Sequence, residues 1–280
     1  TAAVVSAVGG AFFESPRAAA VAALTTEAER PRYYSLVGVM GGLGTAGGMQ
    51  LGVFLLRADF KLVSLAAGIA YLVITIVLWI FLPPVSVSQA GSGLLTGVGL
   101  AVRDAPFIQY TGLMIGHFFL SAQFFIALPL LAVGILGGSE GLVLVYAINS
   151  VVSVLLAYPL PRFLARFMSP AAALIFGNMV TTTGLLMMGL GLFFGPLMLY
   201  AGVIAFSSGL VIVRPNDQTV LAGLANPAAL GSYFGVAMLS LGIGGGIGNA
   251  ASGWMYDLGV SLQQPMLPWV VCAVVGVLTS

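Results

Sequence analysis

Long apolar runs constrain this chain more than any other feature of its sequence. The run from Phe60 to Leu82 is one of several, and stretches of Pro, Gly and charged residues separate each run from the next. An apolar α-helix of about 20 residues spans the hydrocarbon core of a bilayer, whereas strands of a membrane β-barrel alternate in polarity over about 10 residues. Only 6% of the 280 residues are charged, against roughly 25% in soluble domains. The sequence therefore predicts an all-α membrane protein.

Pro, Gly and charged residues predict where the helices begin and end. We expect nine helices, at about residues 1–24, 33–56, 60–82, 107–133, 142–160, 171–192, 197–222, 231–256 and 267–280. The first run begins inside an apolar stretch and the last is short of a full span, so both ends are expected to be cut. The Pro-, Gly- and Ser-rich segment 83–106 is interpreted as a cytoplasmic linker between two bundles, residues 1–82 and 107–280.

The basic residues indicate an orientation in the membrane. Loops that carry Lys and Arg tend to face the cytoplasm. A cytoplasmic loop after the first helix places five Arg inside and only Arg57 and Lys61 outside; the five are Arg30, Arg32, Arg103, Arg162 and Arg166. We therefore expect that loop on the cytoplasmic side.

Charge and composition argue against several functions. The net charge of +1 excludes an electrostatic surface for nucleic acid. A single cysteine, Cys272, and a single histidine, His117, make a disulfide or a zinc site improbable, and no nucleophile or phosphate-binding motif is found. We expect no enzymatic activity, no cofactor and no metal.

An internal repeat is the most informative pattern. Shifting the sequence by 200 positions aligns Gly9 with Gly209, Ala22 with Ala222, Leu24 with Leu224, Ala28 with Ala228, Tyr33 with Tyr233, Gly42 with Gly242, Gly44 with Gly244 and Gly48 with Gly248, and it places Glu14 over Arg214 and Arg17 over Asp217. Six crossings separate the two copies, so both run in the same direction. Parallel repeats with a substrate site at their interface are a recurring transporter architecture.

Several stretches resemble the major facilitator superfamily. They are FFESPRAAAVAAL, ERPRYYSL, LLRADFKLVSLAAG, GSYFGVAMLSLGIGGGIG, SGWMYDLG and QQPMLPW. Within that superfamily the chain is similar to drug:proton antiporters, specifically to MdtH-like multidrug-resistance proteins, over their helices four to twelve. The resemblance implies a truncated major-facilitator bundle, with a small-molecule substrate, protons and the bilayer as partners, acting as a monomer in a bacterial inner (plasma) membrane.

The glycine ladder of the fifth family helix is matched by Gly44, Gly48 and Gly52, although Met49 stands where the family has Pro. Their spacing of four places these glycines on one helix face. We expect this stripe to meet the stripe of Gly244 and Gly248 across the bundle interface and to allow the close approach that gating needs. A tight static contact would give the same pattern.

Four charged residues lie inside apolar helices, where each costs roughly 2.5–3.5 kcal/mol near the bilayer centre. They are Glu14, Arg17, Arg214 and Asp217. Cross-bundle pairs of Glu14 with Arg214 and of Arg17 with Asp217 are possible. Either these are static salt bridges, or one carboxylate carries a proton during transport. Pro215 lies among them and predicts a bent helix that lines a cavity.

Polar and aromatic residues of the second bundle are candidates for a substrate cavity. The polar ones are His117, Gln123, Asn149 and Asn178. The three amides are equally suited to join neighbouring helices, and His117 is either a proton relay or a hydrogen-bonded cavity or packing residue. The aromatic ones are Phe118, Phe119, Phe124 and Phe125, with Met114 beside them. Aromatic side chains and Met repack around varied apolar ligands.

Together these features predict a secondary transporter that exports small amphipathic compounds in exchange for protons by alternating access. One alternative is the same fold with a sugar, amino acid or other metabolite as cargo, because fold does not determine function. The other is a membrane scaffold or sensor that does not transport.

Overall fold

The computed structural model describes residues 16–56, 59–81, 94–138 and 140–280. Within these ranges it is helical: α1 (residues 16–24), α2 (Arg30–Leu56), α3 (Phe60–Phe81), α4 (Leu94–Arg103), α5 (Ala105–Ala122), α6 (Ala127–Leu136), α7 (Glu140–Leu156), α8 (Pro159–Leu164), α9 (Pro170–Phe194), α10 (Pro196–Leu224), α11 (Leu230–Ser261) and α12 (Leu267–Leu278). The predicted all-α fold class is confirmed.

Five stretches among the described residues are long and apolar enough to cross a membrane. They are Lys61–Phe81, Ala105–Leu136, Pro170–Phe194, Pro196–Leu224 and Leu230–Ser261. Shorter apolar helices cover Gly141–Leu156 and Leu267–Leu278. α2 is long but not among them, because it is the least hydrophobic on average of the long helices.

The structure differs in detail from two of the predicted segments, while the division into two bundles joined by a cytoplasmic linker stays a prediction. The expected helix over 107–133 is interrupted, since α5 ends at Ala122 and α6 begins at Ala127. The expected linker 83–106 contains α4, which ends at Arg103, and α4 packs against α11. α4 was missed because its Gly and Thr residues resemble those of a loop, while its helical state depends on the surface that it covers.

Local capping explains where several helices begin. Asp104 accepts a hydrogen bond from the amide of Phe107 at the start of α5, and Ser169 accepts one from Ala172 at the start of α9. Before α2, the amide and hydroxyl of Thr26 both donate to the Glu29 carboxylate, which supplies one of the two bonds of a capping box. These hydrogen bonds hold the pKa of Glu29 below its ordinary value.

The repeat period reappears in the helix boundaries. α1 ends at residue 24 and α10 at Leu224, while α2 begins at Arg30 and α11 at Leu230. Both boundaries are therefore offset by 200 residues, the period found in the sequence. The two turns are built differently in detail, because Asn226 accepts from the amide of Ala228 where the first copy uses Thr26 and Glu29.

Two buried clusters hold the helices together. The larger one joins α5, α6, α7, α9, α10, α11 and α12 around Trp269, Phe206 and Cys272. The smaller one joins α1, α4, α5, α10 and α11. It lies at the end of the molecule that carries Arg30 and Arg103, here termed the inner end.

The most extensive helix contact among the described residues is between α9 and α10. These two helices form a hairpin through Gly195, whose φ is +80°. A Cβ at Gly184 would lie 2.7 Å from the Cα of Phe206, and one at Gly202 would lie 2.6 Å from the amide nitrogen of Met188. Glycine at these positions allows the two backbones to approach more closely than any side chain would permit.

Candidate functional site

Asp217 is a partly buried carboxylate on an apolar helix, α10. The hydroxyl of Tyr110, on α5, donates to its Oδ1 at 2.5 Å and also reaches its backbone carbonyl oxygen at 3.2 Å. Tyr34 of α2 lies close enough to interact electrostatically with both Asp217 and Arg30. Asp217 is thus held by its own bundle and lies next to a helix of the other half.

Pro215 lies inside α10, two residues before Asp217, and removes a backbone donor there. Neighbouring side chains supply donors to this segment. The amide of Asn216 donates to the carbonyl of Ile212 at 2.7 Å, and the hydroxyl of Thr219 donates to the carbonyl of Pro215 at 2.7 Å. The helix therefore continues through the proline and keeps Asp217 in place.

The two halves of the chain meet at the inner end. Small residues of α1 lie in one buried cluster with residues of α10; they are Ala18, Ala19 and Ala22 on α1 and Leu221, Ala222 and Ala225 on α10. The Tyr34 hydroxyl donates to the carbonyl of Ala18 at 2.9 Å, and the Arg30 guanidinium donates to that of Ala22 at 3.2 Å. These bonds tie α2 to α1 directly behind the contact between the halves.

The remaining mid-helix charges are only partly described. Glu14 lies outside the described residues, so its pairing with Arg214 stays a prediction. Arg214 is exposed on α10 and Arg17 is partly exposed on α1. The predicted pair of Arg17 with Asp217 also stays a prediction, and the partner that the structure gives to Asp217 is Tyr110.

His117 and Asn178 are both buried, and they contact each other. The His117 Nδ1 lies 3.0 Å from the Asn178 Oδ1, joining α5 to α9. The Asn178 amide also donates to the hydroxyl of Ser280 at 3.0 Å, next to the end of α12. The two residues connect three helices of one bundle in this conformation.

Gln123 is fully buried at the break between α5 and α6. Its amide donates to the carbonyl of Phe119 at 3.0 Å, and its Oε1 accepts from the hydroxyl of Ser252, on α11, at 2.7 Å. The side chain thus satisfies a carbonyl at the end of α5 and fastens the break to α11. This hydrogen bonding uses both ends of the amide.

Asn149 lies beside a cluster of aromatic rings. Its Oδ1 accepts from the hydroxyl of Ser207 at 2.8 Å, which joins α7 to α10. Next to this pair the ring of Phe124 stacks on Phe206, with centroids 5.7 Å apart, and meets Tyr146 edge-on at 5.5 Å. Phe125 adjoins Phe124 and is 70% exposed. We call Phe124, Phe125, Tyr146 and Phe206 the aromatic cluster.

Not all of the candidate aromatic residues belong to that cluster. Met114 and Phe119 are buried inside the bundle. Phe118 contacts the ring of His117. The structure thus divides the candidates into packing residues and a partly exposed group, a division that the sequence left open.

The two glycine stripes do not face each other, contrary to the expectation. Gly244 and Gly248 of α11 pack against α5, where a Cβ at Gly248 would lie 2.8 Å from the carbonyl oxygen of Phe119. Around Gly44 and Gly48 of α2, no described atom lies within 4 Å of an added Cβ. The surroundings of Gly52 fall outside the described residues. The role of both glycine stripes in gating stays a prediction.

Tyr110, Ser252 and Ser207 are partners of candidate residues that were not predicted from the sequence. Nor was the bond from the Tyr233 hydroxyl to the Asp104 carboxylate, at 2.9 Å. Hydroxyls on apolar helices are common and by themselves give no specific signal. Only the alignment of Tyr33 with Tyr233 in the repeat marked any of them.

The fold and the site are those of an all-helical integral membrane protein made of two halves that share an interface. The model of the Major Facilitator Superfamily matches residues 1–278, and the chain belongs to this transporter superfamily. The resemblance found in the sequence is therefore confirmed, and the family places the chain among transporters rather than enzymes.

Similar proteins include several bacterial multidrug-resistance proteins. The chain is 34% identical to the "Multidrug resistance protein MdtH" of Edwardsiella ictaluri (strain 93-146), over 98% of this chain and 68% of that protein. It is 31% identical to the protein of the same name from Escherichia coli O157:H7, over 99% of this chain and 68% of that protein. The chain thus spans about two thirds of the length of these relatives.

A solved structure has the same fold. It is the human organic anion transporter MFSD10 (TETRAN), with a TM-score of 0.73 and 17% sequence identity, covering 95% of this chain and 66% of that one. At this identity the likeness shows the fold alone.

Proposed function

We propose that this chain is part of a secondary transporter that exports small amphipathic compounds from a bacterial cell in exchange for protons. It acts as a monomer in the inner (plasma) membrane and works by alternating access. The observation that carries this proposal is the Asp217 carboxylate, which lies on an apolar helix where the two halves of the chain approach each other.

A carboxylate in this place suits proton coupling. An ionised side chain inside a membrane helix is costly, so carboxylates there are concentrated on ion and proton pathways. Asp217 can exchange its charge for a proton, while Arg17, Arg30 and Arg214 cannot lose theirs at physiological pH. A change in its charge alters the interaction with the neighbouring half and so biases the conformational equilibrium.

The contact at the inner end supports alternating access. Small side chains allow α1 and α10 to close against each other there, and α2 of the same half packs against α7, α8 and α10. Rocking of parallel repeats about an interfacial site is the mode of transport expected of such an architecture. In an alternating-access cycle, the conformation with this contact at the inner end is the one closed on the cytoplasmic side.

The aromatic cluster supports an apolar cargo. Phe125 and Tyr146 present ring surface, while the neighbouring polar pair, Asn149 and Ser207, is neutral. Stacked and edge-on rings bind flat apolar groups without strict shape requirements. Residues 140–156, 196–213 and 105–126 carry no charge except Glu140, so a cargo rich in hydroxyl groups would find few partners among these helices.

The test uses the full-length protein reconstituted in liposomes. With a lipophilic fluorescent dye as the probe, Asp217→Asn or Glu14→Gln should abolish efflux driven by a pH gradient while leaving dye binding largely intact. Counterflow of a labelled sugar serves as the comparison. Normal proton-driven efflux in the double variant would show that neither carboxylate is needed, and sugar counterflow without dye transport would overturn the choice of cargo.

A further inference from the structure

Tyr110 is the described partner of the Asp217 carboxylate. Its hydroxyl makes a bifurcated contact with the carboxylate Oδ1, at 2.5 Å, and with the backbone carbonyl of the same residue, at 3.2 Å. The two residues are separated by 107 positions in the sequence and come together because α5 packs against α10. The bond is therefore a tertiary contact and not a local helix feature.

We propose that Tyr110 is a positioning residue for proton exchange: by donating to the ionised carboxylate of Asp217, it sets the pH range over which transport is coupled to protons. This inference rests on the proposed function, since it assumes that Asp217 takes part in coupling. A hydrogen bond from a neutral donor favours the charged form of a carboxylate. Without the donor, the carboxylate retains its proton to a higher pH.

The location of Tyr110 makes it a constant partner during transport. α5 and α10 belong to the same half of the chain, so a rigid-body motion of one half against the other leaves their contact intact. The groups on α1 and α2 behave differently. Arg30 and Tyr34 belong to the other half, and their distance from Asp217 changes when the inner end opens.

The charged and titratable groups around Asp217 therefore form two sets. On its own half these are Tyr110 on α5 and Arg214 one turn away on α10, while α9 carries no charged residue between Pro170 and Phe194. On the other half they are Tyr34 and, beside it, Arg30. Tyr110 supplies the interaction that is present in every state, and the second set supplies the part that varies with conformation.

A second tyrosine provides a matched control. Tyr233, on α11, donates its hydroxyl to the carboxylate of Asp104 at 2.9 Å, in the same inner region of the molecule. Tyr110→Phe and Tyr233→Phe each remove one hydroxyl that donates to an aspartate, and each retains the ring. The variants differ only in which carboxylate loses its donor.

The experiment measures proton-driven dye efflux against pH in liposomes that contain the full-length protein. In Tyr110→Phe, the pH of half-maximal efflux should rise by about one unit, which is the effect of losing one donor to a carboxylate. In Tyr233→Phe the pH of half-maximal efflux should equal that of the parent. Dye counterflow without a pH gradient is measured at low pH, where Asp217 is protonated, and should be the same in the parent and in both variants. This control reports that the variants fold and bind the dye.

Parallel measurements with Asp217→Asn separate the two proposals. If this variant keeps full proton-driven efflux, the coupling role of Asp217 fails. If it loses coupling but Tyr110→Phe has the parental pH profile, the inference about Tyr110 is overturned while the proposed function stands. Adding Tyr110→Phe to Asp217→Asn should leave dye counterflow at the level of Asp217→Asn alone, since the hydroxyl acts through the carboxylate. A loss of counterflow in the double variant would assign Tyr110 a structural role instead.

Discussion

The hairpin of α9 and α10 predicts that alanine at Gly184 destabilises the protein. A Cβ there would lie 2.7 Å from the Cα of Phe206 and 2.8 Å from the carbonyl oxygen of Gly202. Ordinary van der Waals contact begins at 3.4 Å, so the shortest of these distances falls short by 0.7 Å. Both obstructing groups are backbone atoms and cannot move aside by changing a rotamer.

The helices must therefore separate by several tenths of an ångström. A gap of roughly 0.5–1 Å forfeits a quarter to a half of the dispersion energy between the surfaces that it divides. Leu185, Met188 and Val203 are fully buried at this interface and would lose contacts. Overpacking of this kind costs about 1–3 kcal/mol, while alanine regains about 1 kcal/mol of helix propensity over glycine. The net loss is therefore about 0–2 kcal/mol, and at its upper end it lowers the folded-to-unfolded ratio roughly 30-fold.

Cys272 offers an intrinsic probe of this loss. It is the single cysteine of the sequence, 1% exposed, and it lies in the same buried cluster as Leu185 and Phe206. Labelling by a thiol-reactive dye during heating in detergent reports when this cluster opens. Gly184→Ala should become labelled at a lower temperature than the parent.

Gly44→Ala is the matched control, because an added Cβ on α2 meets no described atom within 4 Å. This variant should be labelled at the parental temperature or slightly above it. If Gly184→Ala is as stable as Gly44→Ala, the close approach of α9 and α10 does not exist as described and the packing argument is refuted.

Two further substitutions test other parts of the structure. Gln123→Leu leaves the buried Phe119 carbonyl without its side-chain donor, while the Ser252 hydroxyl keeps the Gly248 carbonyl as an acceptor. The change should cost about 1–3 kcal/mol, again measured by Cys272 labelling; a smaller loss than in Ser252→Ala would argue against the described hydrogen bonds. Gly48→Leu should impair efflux in the full-length protein while leaving insertion and folding intact. A bias of about 1.4 kcal/mol between conformations changes their ratio tenfold, so cysteine accessibility from each side of the membrane should shift, and unchanged transport and accessibility would rule out a gating role.

Much of the fold could be predicted from the sequence because a bilayer requires long apolar helices, and the apolar composition of such segments is directly visible in the sequence. The 200-residue repeat was also visible, and it reappears at the ends of α1 and α10. The break after Ala122 was not predictable from hydropathy, since the residues on both sides are equally apolar. The carbonyl that the break exposes is satisfied by Gln123, whose position is secured from α11.

The candidate site was predicted less completely. Asp217 was conspicuous because a carboxylate is rare in an apolar helix, but Tyr110 was one hydroxyl among many. The glycines show the same limit. The sequence drew attention to the regular stripes at Gly44 and Gly244, of which only the second packs against another backbone, that of α5, while a comparably close approach at Gly184 and Gly202 belongs to no such ladder.

By itself, then, the sequence determined the membrane environment, the helical class, the repeat and the rare charged positions. All four features follow from the composition and spacing of residues, which reflect whether lipid or water surrounds each segment. The tertiary structure alone decided which groups meet: Tyr110 with Asp217, His117 with Asn178, and α9 with α10 at backbone distance. Such pairings depend on the rotation and separation of helices that are remote in the chain, and local hydropathy does not encode either quantity.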